Sequence, residues 1–286
     1  MSIDRTRILR AAASLGGAGA DSFPRMLALL CDSRATASEI GSLIEKHPSM
    51  YARVLRVANS PYYGQPRAVR SIERALALLG VDALRGIAAT TCFDRAAVRS
   101  SVDTEFDMLA LLRHSLATAA AAEALARISH KVLAAELFIA GLLHNLGTVV
   151  QLQIDAPGIN AMIAALRTQR GGDLRALESA HVAVGHEECL AVIFEAWQLP
   201  ELLVAAARYH HDPLSAPEAQ RDTAAFVNLG ANLGLDCGHT FALEPASVGR
   251  HGPAMIRLGL NDAQLDAVAA ELPGRVAQLS AALSDA

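Results

Sequence analysis

Apolar residues recur at helical spacing along most of this 286-residue chain. Ile40, Leu43 and Ile44 share one face of a predicted helix, because residues three and four apart lie on the same side. Pro48 suits the first turn of the next helix. The apolar positions of that helix are Met50, Val54, Leu55 and Val57. No segment alternates apolar and polar residues as a strand would, so the pattern predicts an all-α fold.

Capping residues mark the next boundaries. Ser71 is a favourable N-cap for a helix over 72–79, and Gly80 is a favourable stop. Asp82 is expected to cap a helix that runs to about Phe93. The polar stretch from Arg95 to Thr104 then predicts a boundary between two subdomains.

The second half begins with a predicted helix over 107–127. Residues 132–146 are apolar almost all round, which predicts a buried central helix that Gly147 closes. Residues 155–158, Asp-Ala-Pro-Gly, indicate a turn. Further helices are predicted near 159–169, 174, 185 and 200, and over 218–234 and 262–284.

These patterns divide the chain into three parts. Residues 1–22 are a lead-in, either mobile or a weak helix. Residues 23–215 form the main domain, with subdomains 23–100 and 101–215. Residues 216–286 are predicted to be helices that pack on the second subdomain.

Composition and charge exclude several classes of protein. The net charge of −4 and the sequence pI near 6.2 do not favour nucleic-acid binding. Only Lys46 and Lys131 among the 25 basic residues are lysines, a bias typical of a GC-rich bacterial genome. The four cysteines form no CxxC pair, which disfavours a zinc ribbon or disulfide framework. With no membrane span recognised, the chain is expected to be cytoplasmic.

Five histidines occupy positions suited to metal chemistry, since neutral imidazole is a common ligand for transition metals. They are His114, His144, His181, His210 and His211. Taken singly, each is better explained as a hydrogen-bonded core residue. His210 and His211 are turned about 100° from each other on a helix, so one ion cannot easily take both.

The order of these histidines resembles the ligand series of the HD and HD-GYP metal-dependent phosphohydrolases. In those families an aspartate follows the second histidine and another lies on a later helix. Asn145 and Asn232 occupy these acid positions here.

Other motifs resemble the HDOD family, a catalytically degenerate offshoot of the HD proteins. The matching segments are 44–50 (IEKHPSM), 55–60 (LRVANS), 71–75 (SIERA), 78–80 (LLG) and 197–200 (WQLP) followed by the paired histidines. The resemblance implies an all-α fold with an N-terminal helical subdomain and a C-terminal HD-like subdomain. It also implies a role in signal transduction without known catalysis.

The lost acids bear on metal binding. Two bare dications at roughly 3.5–4 Å repel by about 19 kcal/mol at an effective dielectric constant of about 20. Asn145 and Asn232 bring no charge to offset this, so a two-metal site is not expected. The expectation is no cofactor, with one divalent transition metal as the alternative. Without metal, Asn145 is predicted to hydrogen-bond a clustered histidine, because an amide both donates and accepts.

The predicted function is a non-catalytic regulatory module that contacts protein partners in a bacterial signalling pathway. It is expected to bind neither nucleic acid nor membrane, and a small ligand in the degenerate HD cleft is left open. Arg113 is a candidate ligand contact. A candidate interaction loop comprises Asn59, Ser60, Tyr62, Tyr63 and Gly64.

The alternative function is a metal-dependent phosphohydrolase or cyclic-dinucleotide phosphodiesterase with substituted ligands. Asp212 and Glu188 are the acids considered for that role, because each lies close in sequence to a candidate histidine.

Overall fold

Helices make up almost every regular element of this protein in the computed structural model. The structure describes residues 5–16, 22–32, 34–60, 63–91, 105–129, 134–169, 174–244, 249 and 252–284. Within these ranges the exceptions are two short 3₁₀ helices and one isolated β-bridge, Phe241 to Glu244. The predicted all-α fold is confirmed.

The α-helices are α1 (Arg5–Gly16), α2 (Ser22–Cys31), α3 (Ala37–Glu45), α4 (Pro48–Ala58), α5 (Ile72–Leu79), α6 (Val81–Ala89), α7 (Met108–Ser129), α8 (Ala134–Leu143), α9 (Leu146–Gln169), α10 (Leu174–His181), α11 (His186–Ala196), α12 (Glu201–Tyr209), α13 (Arg221–Asp236), α14 (Gly252–Leu258) and α15 (Asp262–Ser284). The 3₁₀ helices are Pro213–Ser215 and Glu218–Gln220.

Local sequence signals determine the ends of the first helices. The Ser71 hydroxyl accepts a hydrogen bond from the Arg74 backbone N–H, as an N-cap does. Thr36 and Glu39 form a capping box at α3. Pro48 opens α4, and Gly80, with φ of +80°, ends α5. The structure starts α6 at Val81, so Asp82 lies inside its first turn and is not the predicted N-cap.

Helix α7 lies at the centre of the packing, against α8, α13 and α15. Two glycines allow its neighbours to approach its backbone. A Cβ added at Gly141 of α8 would lie 2.8 Å from the Ala119 Cα, and one at Gly230 of α13 would lie 2.7 Å from the Thr118 carbonyl oxygen. Both distances are shorter than van der Waals contact, so larger residues do not fit.

Three sequence expectations need correction or refinement. Residues 5–16 form a helix, whose Ile8 and Ala12 are buried in the common core. Gly147 does not close a helix but lies in the first turn of α9. It is needed there because a Cβ would meet the His186 carbonyl oxygen at 2.2 Å. The turn predicted over 155–158 is a kink inside α9, where Asp155 has non-helical backbone angles. The proposed subdomain boundary at 95–104 lies outside the described residues.

One stretch would pass as a membrane span by length and hydropathy alone. Residues 134–168, which cover α8 and most of α9, meet both criteria. However, 89% of the most apolar window is buried inside the protein. The core packing of these helices accounts for their hydrophobicity.

The close packing on α7 predicts opposite effects for two glycine substitutions. Gly141→Ala should lower the free energy of unfolding by about 1–3 kcal/mol, because the methyl group collides with the backbone of α7. Gly274→Ala is the control, since no atom lies within 4 Å of the added Cβ. It should raise that free energy by up to about 1 kcal/mol through helix propensity. Urea denaturation followed by circular dichroism measures both, and equal effects would contradict the packing argument.

Candidate functional site

A cluster of five imidazoles lies where four helices meet. His114 belongs to α7, His144 follows α8, His186 begins α11, and His210 and His211 follow α12. Ring centroids of neighbouring members are 4.3–5.3 Å apart. The ends of three helices and the second turn of α7 therefore bring together residues that are far apart in the sequence.

The structure corrects one member of the predicted set. His181 is the exposed last residue of α10, whereas His186 is buried in the cluster. The chain turns between these helices, so the face that α10 buries does not continue into α11. A signal for His186 was present, because it shares an apolar helical face with the buried Cys189, Leu190 and Ile193.

Backbone and carboxylate acceptors hold four of the five imidazoles in one tautomer. Carbonyl and ionised carboxylate oxygens only accept, so Nδ1 donates in these four rings, and the neutral ring presents a bare Nε2. The Nδ1 contacts are His114 to His239 O at 3.0 Å, His144 to Gly141 O at 2.6 Å, His186 to Glu178 Oε1 at 2.8 Å and His210 to Ala206 O at 2.9 Å. Metal-binding histidines have the same outer partners.

Three Nε2 atoms converge at a single point. The His186 Nε2 lies 3.1 Å from that of His210 and 3.2 Å from that of His211. Two bare nitrogen lone pairs repel at such a distance, so a proton or a cation must lie between them. The triad of His186, His210 and His211 therefore meets the donor geometry for one transition metal ion. This corrects the expectation that one ion cannot easily take both His210 and His211, because both residues follow the end of α12 and are not on its helical face.

The protonation of this triad is uneven. Burial lowers the pKa of His186, but the charge and hydrogen bond of Glu178 outweigh burial and raise it to about 9. Burial lowers the pKa of the other four imidazoles, and neighbouring imidazoles lower it further for His144, His210 and His211. Without metal, the raised pKa favours the protonated form of His186.

The other side of the cluster contains buried polar atoms without a hydrogen-bond partner among the described residues. These are the Nε2 atoms of His114 and His144 and the Oδ1 atom of Asn145. Leaving such an atom unsatisfied costs about 1–3 kcal/mol. Inward-facing acceptors of this kind are suited to a cation or a donor ligand.

Asn145 binds a carboxylate and not a histidine. Its Nδ2 donates to the Glu244 Oε1 atom at 3.2 Å, so the prediction of a histidine partner is wrong. The Glu244 carboxylate also lies 3.7 Å from the His114 Nε2 and 3.6 Å from the His211 Nε2. An aspartate at position 145 would instead place two carboxylates against each other.

Two buried acids, Glu178 and Glu244, correct the expectation that the cluster has no negative charge. The acids considered from sequence lie elsewhere. Glu188 pairs with Arg208 at 3.1 Å, and Asp212 is the N-cap of a 3₁₀ helix. Glu244 was missed because it lies 99 residues beyond Asn145, in a segment with no motif.

Asn232 is buried in α13, and the hydrogen bond that its amide donates stays within that helix. That bond goes to the Asn228 carbonyl oxygen, one turn earlier, at 3.0 Å. The Asn228 amide donates to the backbone carbonyl oxygen of His210 at 2.7 Å. The assignment of Asn232 to the second acid position stays a prediction.

The remaining candidates lie outside the cluster. Arg113 is exposed, whereas the adjacent His114 is fully buried, because consecutive residues on a helix point about 100° apart. The Asn59 amide closes its own loop, donating to Val69 O and accepting from Val69 N. Ser60 and Tyr63 are half-buried and Gly64 is exposed, whereas Tyr62 lies outside the described residues. An interaction role for this loop stays a prediction.

A cavity of about 790 Å³ lies outside the triad. Its walls include Glu178, Gly185 and Glu187, which adjoin His186, and the basic residues Arg175 and Arg208. Burial raises the pKa of Glu187, although His186 and Arg175 oppose that shift. None of the five clustered histidines lines this cavity.

Comparison with known proteins identifies relatives of this chain. A family model for the HDOD domain matches residues 19–213. The chain is also similar to an uncharacterized protein of Treponema pallidum (strain Nichols), with 28% identity over 196 residues. That match covers 67% of this chain but 37% of the relative, so the chain spans little more than a third of the relative's length.

The fold is similar to that of solved structures. An HDOD domain protein of unknown function from Geobacter sulfurreducens has a TM-score of 0.70 at 23% identity, covering 98% of this chain and 91% of that chain. A provisionally assigned signal transduction protein from Marinobacter aquaeolei VT8 has a TM-score of 0.76 at 23% identity. That match covers 91% of this chain and 57% of the Marinobacter chain. A provisionally assigned phosphohydrolase from Shewanella amazonensis SB2B has a TM-score of 0.71 at 21% identity. That match covers 97% of this chain and 98% of the Shewanella chain.

The contact between Asn145 and Glu244 predicts that a second substitution, at Glu244, restores stability lost by substitution of Asn145. In metal-free protein, Asn145→Asp should lower the free energy of unfolding by about 1.5–3 kcal/mol, because a donor to a charged group is lost and a second carboxylate is added. Adding Glu244→Gln should restore much of that loss, since an amide again faces a carboxylate. Glu244→Gln alone is the control. Strictly additive effects in urea denaturation would show that the pair is not coupled.

Proposed function

The chain belongs to the HDOD domain family, and we propose that it is a cytoplasmic regulatory module of bacterial signal transduction. It acts through contacts with protein partners and does not hydrolyse phosphate esters. Family membership supports the signalling role. The similar fold of the provisionally assigned signal transduction protein of Marinobacter aquaeolei is consistent with it.

One observation carries the non-catalytic part of the proposal. The residue after His144 is an asparagine whose amide donates to Glu244, in place of the aspartate found in active HD proteins. A donating amide brings no charge with which to bridge two dications. The two-metal arrangement that phosphohydrolases use therefore lacks its usual bridge.

We also propose that the triad of His186, His210 and His211 holds one divalent transition metal ion. The convergence of three Nε2 atoms and the Glu178 carboxylate behind His186 support this part. When bound, the ion would supply positive charge that ties the start of α11 to the end of α12. In this proposal its role is structural.

The position of Glu244 favours the alternative function, a metal-dependent phosphohydrolase. Its carboxylate faces His114 on one side and His211 on the other. In the alternative, Glu244 would supply the carboxylate that the missing aspartate supplies in active HD proteins. Metal content distinguishes the regulatory module from the phosphohydrolase, because the phosphohydrolase requires two ions per chain.

Metal content is expected to be close to one ion per chain after loading with Co²⁺ or Zn²⁺ and removal of excess. His186→Ala should reduce it close to zero, because the triad loses its central ligand. His181→Ala is the matched control and should retain the ion, since His181 is exposed on the preceding helix. Elemental analysis measures the content. Loss of metal from both variants would contradict the assignment.

Purified protein should release neither phosphate nor nucleotide from cyclic dinucleotides, nucleotides or generic phosphodiesters in the presence of Mn²⁺, Fe²⁺ or Ni²⁺. Chromatography of the reaction products measures this. Turnover that disappears in the His144→Ala variant, together with two ions per chain, would overturn the proposal and establish the alternative.

A further inference from the structure

The turn that follows α13 lies against the histidine cluster, and we call its residues 239–244 the closing segment. The backbones of Phe241 and Glu244 exchange two hydrogen bonds, with N···O distances of 3.3 and 3.0 Å. The His239 N–H donates to the Gly234 carbonyl oxygen at 2.9 Å, which ties the segment to the end of α13. The segment lies beyond residues 19–213, which the HDOD family model matches, so membership of the family does not predict it.

The closing segment packs on the cluster through His114. The His239 carbonyl oxygen accepts the His114 Nδ1 hydrogen at 3.0 Å. The Phe241 ring lies with its centroid 5.1 Å from that of His114, and it also packs edge-on against Phe106, at 6.1 Å. His114 is fully buried in this arrangement, and the closing segment forms part of its cover.

Glu244 carries the charge of the closing segment into the cluster. Among the described residues, only the Asn145 Nδ2 atom, at 3.2 Å, donates a hydrogen bond to this buried carboxylate. The Nε2 atoms of His114 and His211 lie 3.7 and 3.6 Å from it, beyond hydrogen-bond distance. The other buried acid of the cluster, Glu178, accepts from three N–H donors, each at 2.8 Å. A buried carboxylate is costly without donors or an opposite charge, so Glu244 is the less well compensated of the two.

A dication held by the triad would supply the missing charge. The neutral imidazoles that bind the ion bring no negative charge of their own. Glu178 holds one ligand of the triad by its hydrogen bond, and Glu244 lies beside another. A third buried acid next to the cluster, Glu187, has Arg175 as its partner at 3.1 Å. The carboxylates of Glu178 and Glu244 therefore remain to offset the two positive charges of the ion.

We propose that Glu244 couples closure of segment 239–244 to occupancy of the triad. A dication on the triad attracts the carboxylate and holds the closing segment against the cluster, and loss of the ion allows the segment to open. Glu244 is thus a positioning residue, which acts through the segment that it belongs to. The state of the metal site would then change the surface after α13 that a protein partner meets. This inference rests on the metal ion proposed above and not on the absence of hydrolysis.

Hydrogen exchange of the full wild-type chain, followed by mass spectrometry with and without Zn²⁺, tests the coupling. Peptides that cover residues 239–244 should exchange at least about tenfold more slowly with Zn²⁺, because the opening that exposes their amides becomes rarer. Helix α3 is the internal control, since it packs on α4, α5 and α6, and its exchange should stay unchanged. Equal slowing of both segments would indicate general stabilisation and would overturn the coupling.

A substitution of Glu244 tests the role of its charge. Glu244→Gln keeps the shape of the side chain and should weaken Zn²⁺ binding by about 10–100-fold, as loss of an outer partner of a metal site does. At saturating Zn²⁺, the variant should also lose most of the slowing in residues 239–244. Glu271→Gln, on the exposed face of α15, is the matched control and should change neither measurement. Circular dichroism verifies folding.

The outcomes separate the coupling from the metal site itself. If wild-type protein binds one Zn²⁺ per chain without slower exchange in residues 239–244, or if folded Glu244→Gln protein binds Zn²⁺ normally, the coupling is wrong and the metal site stands. If wild-type protein binds no Zn²⁺, both are wrong. Should the Glu244→Gln protein not fold, the exchange of the wild-type chain decides.

Discussion

The contact of two helix backbones with α7 is the constraint on which the fold and the site both depend. Gly141 and Gly230 bring α8 and α13 against Ala119 and Thr118, at distances that no side chain allows. The same Gly141 carbonyl accepts the His144 Nδ1 hydrogen, and Thr118 lies one turn beyond His114. The packing that closes the core therefore also sets the separation of His114 and His144.

The electrostatics of the site follow from its burial. An imidazole loses hydration when it is buried, so the neutral form is favoured unless a carboxylate lies nearby. The hydrogen bond and charge of Glu178 outweigh burial at His186, whereas the pKa of His114 and His211 stays low although Glu244 lies near both rings. A group of neutral, oriented rings around one protonated ring is suited to exchanging that proton for a metal ion, because metal binding requires deprotonated ligands.

Helix α7 carries both His114 of the histidine cluster and the buried Glu123. Glu123 accepts hydrogen bonds from Arg127 of the same helix and from Arg275 of α15. His114 and Glu123 lie nine residues apart, which is about 13.5 Å along a helix. One helix therefore contributes to the cluster and to the ion pairs that join it to α15.

The sequence by itself determined the helical fold and most helix ends, because caps such as Ser71 and Pro48 act on adjacent residues. The resemblance of its motifs to the HD and HDOD families also pointed to His114, His144, His210 and His211. Only the tertiary structure decided between His181 and His186, since a turn between two helices changes which face is buried. It alone brought Glu244 to Asn145, 99 residues away, and Arg275 to Glu123, 152 residues away. Such contacts depend on how the helices pack, and the spacing of residues along the sequence does not show which distant residues will meet.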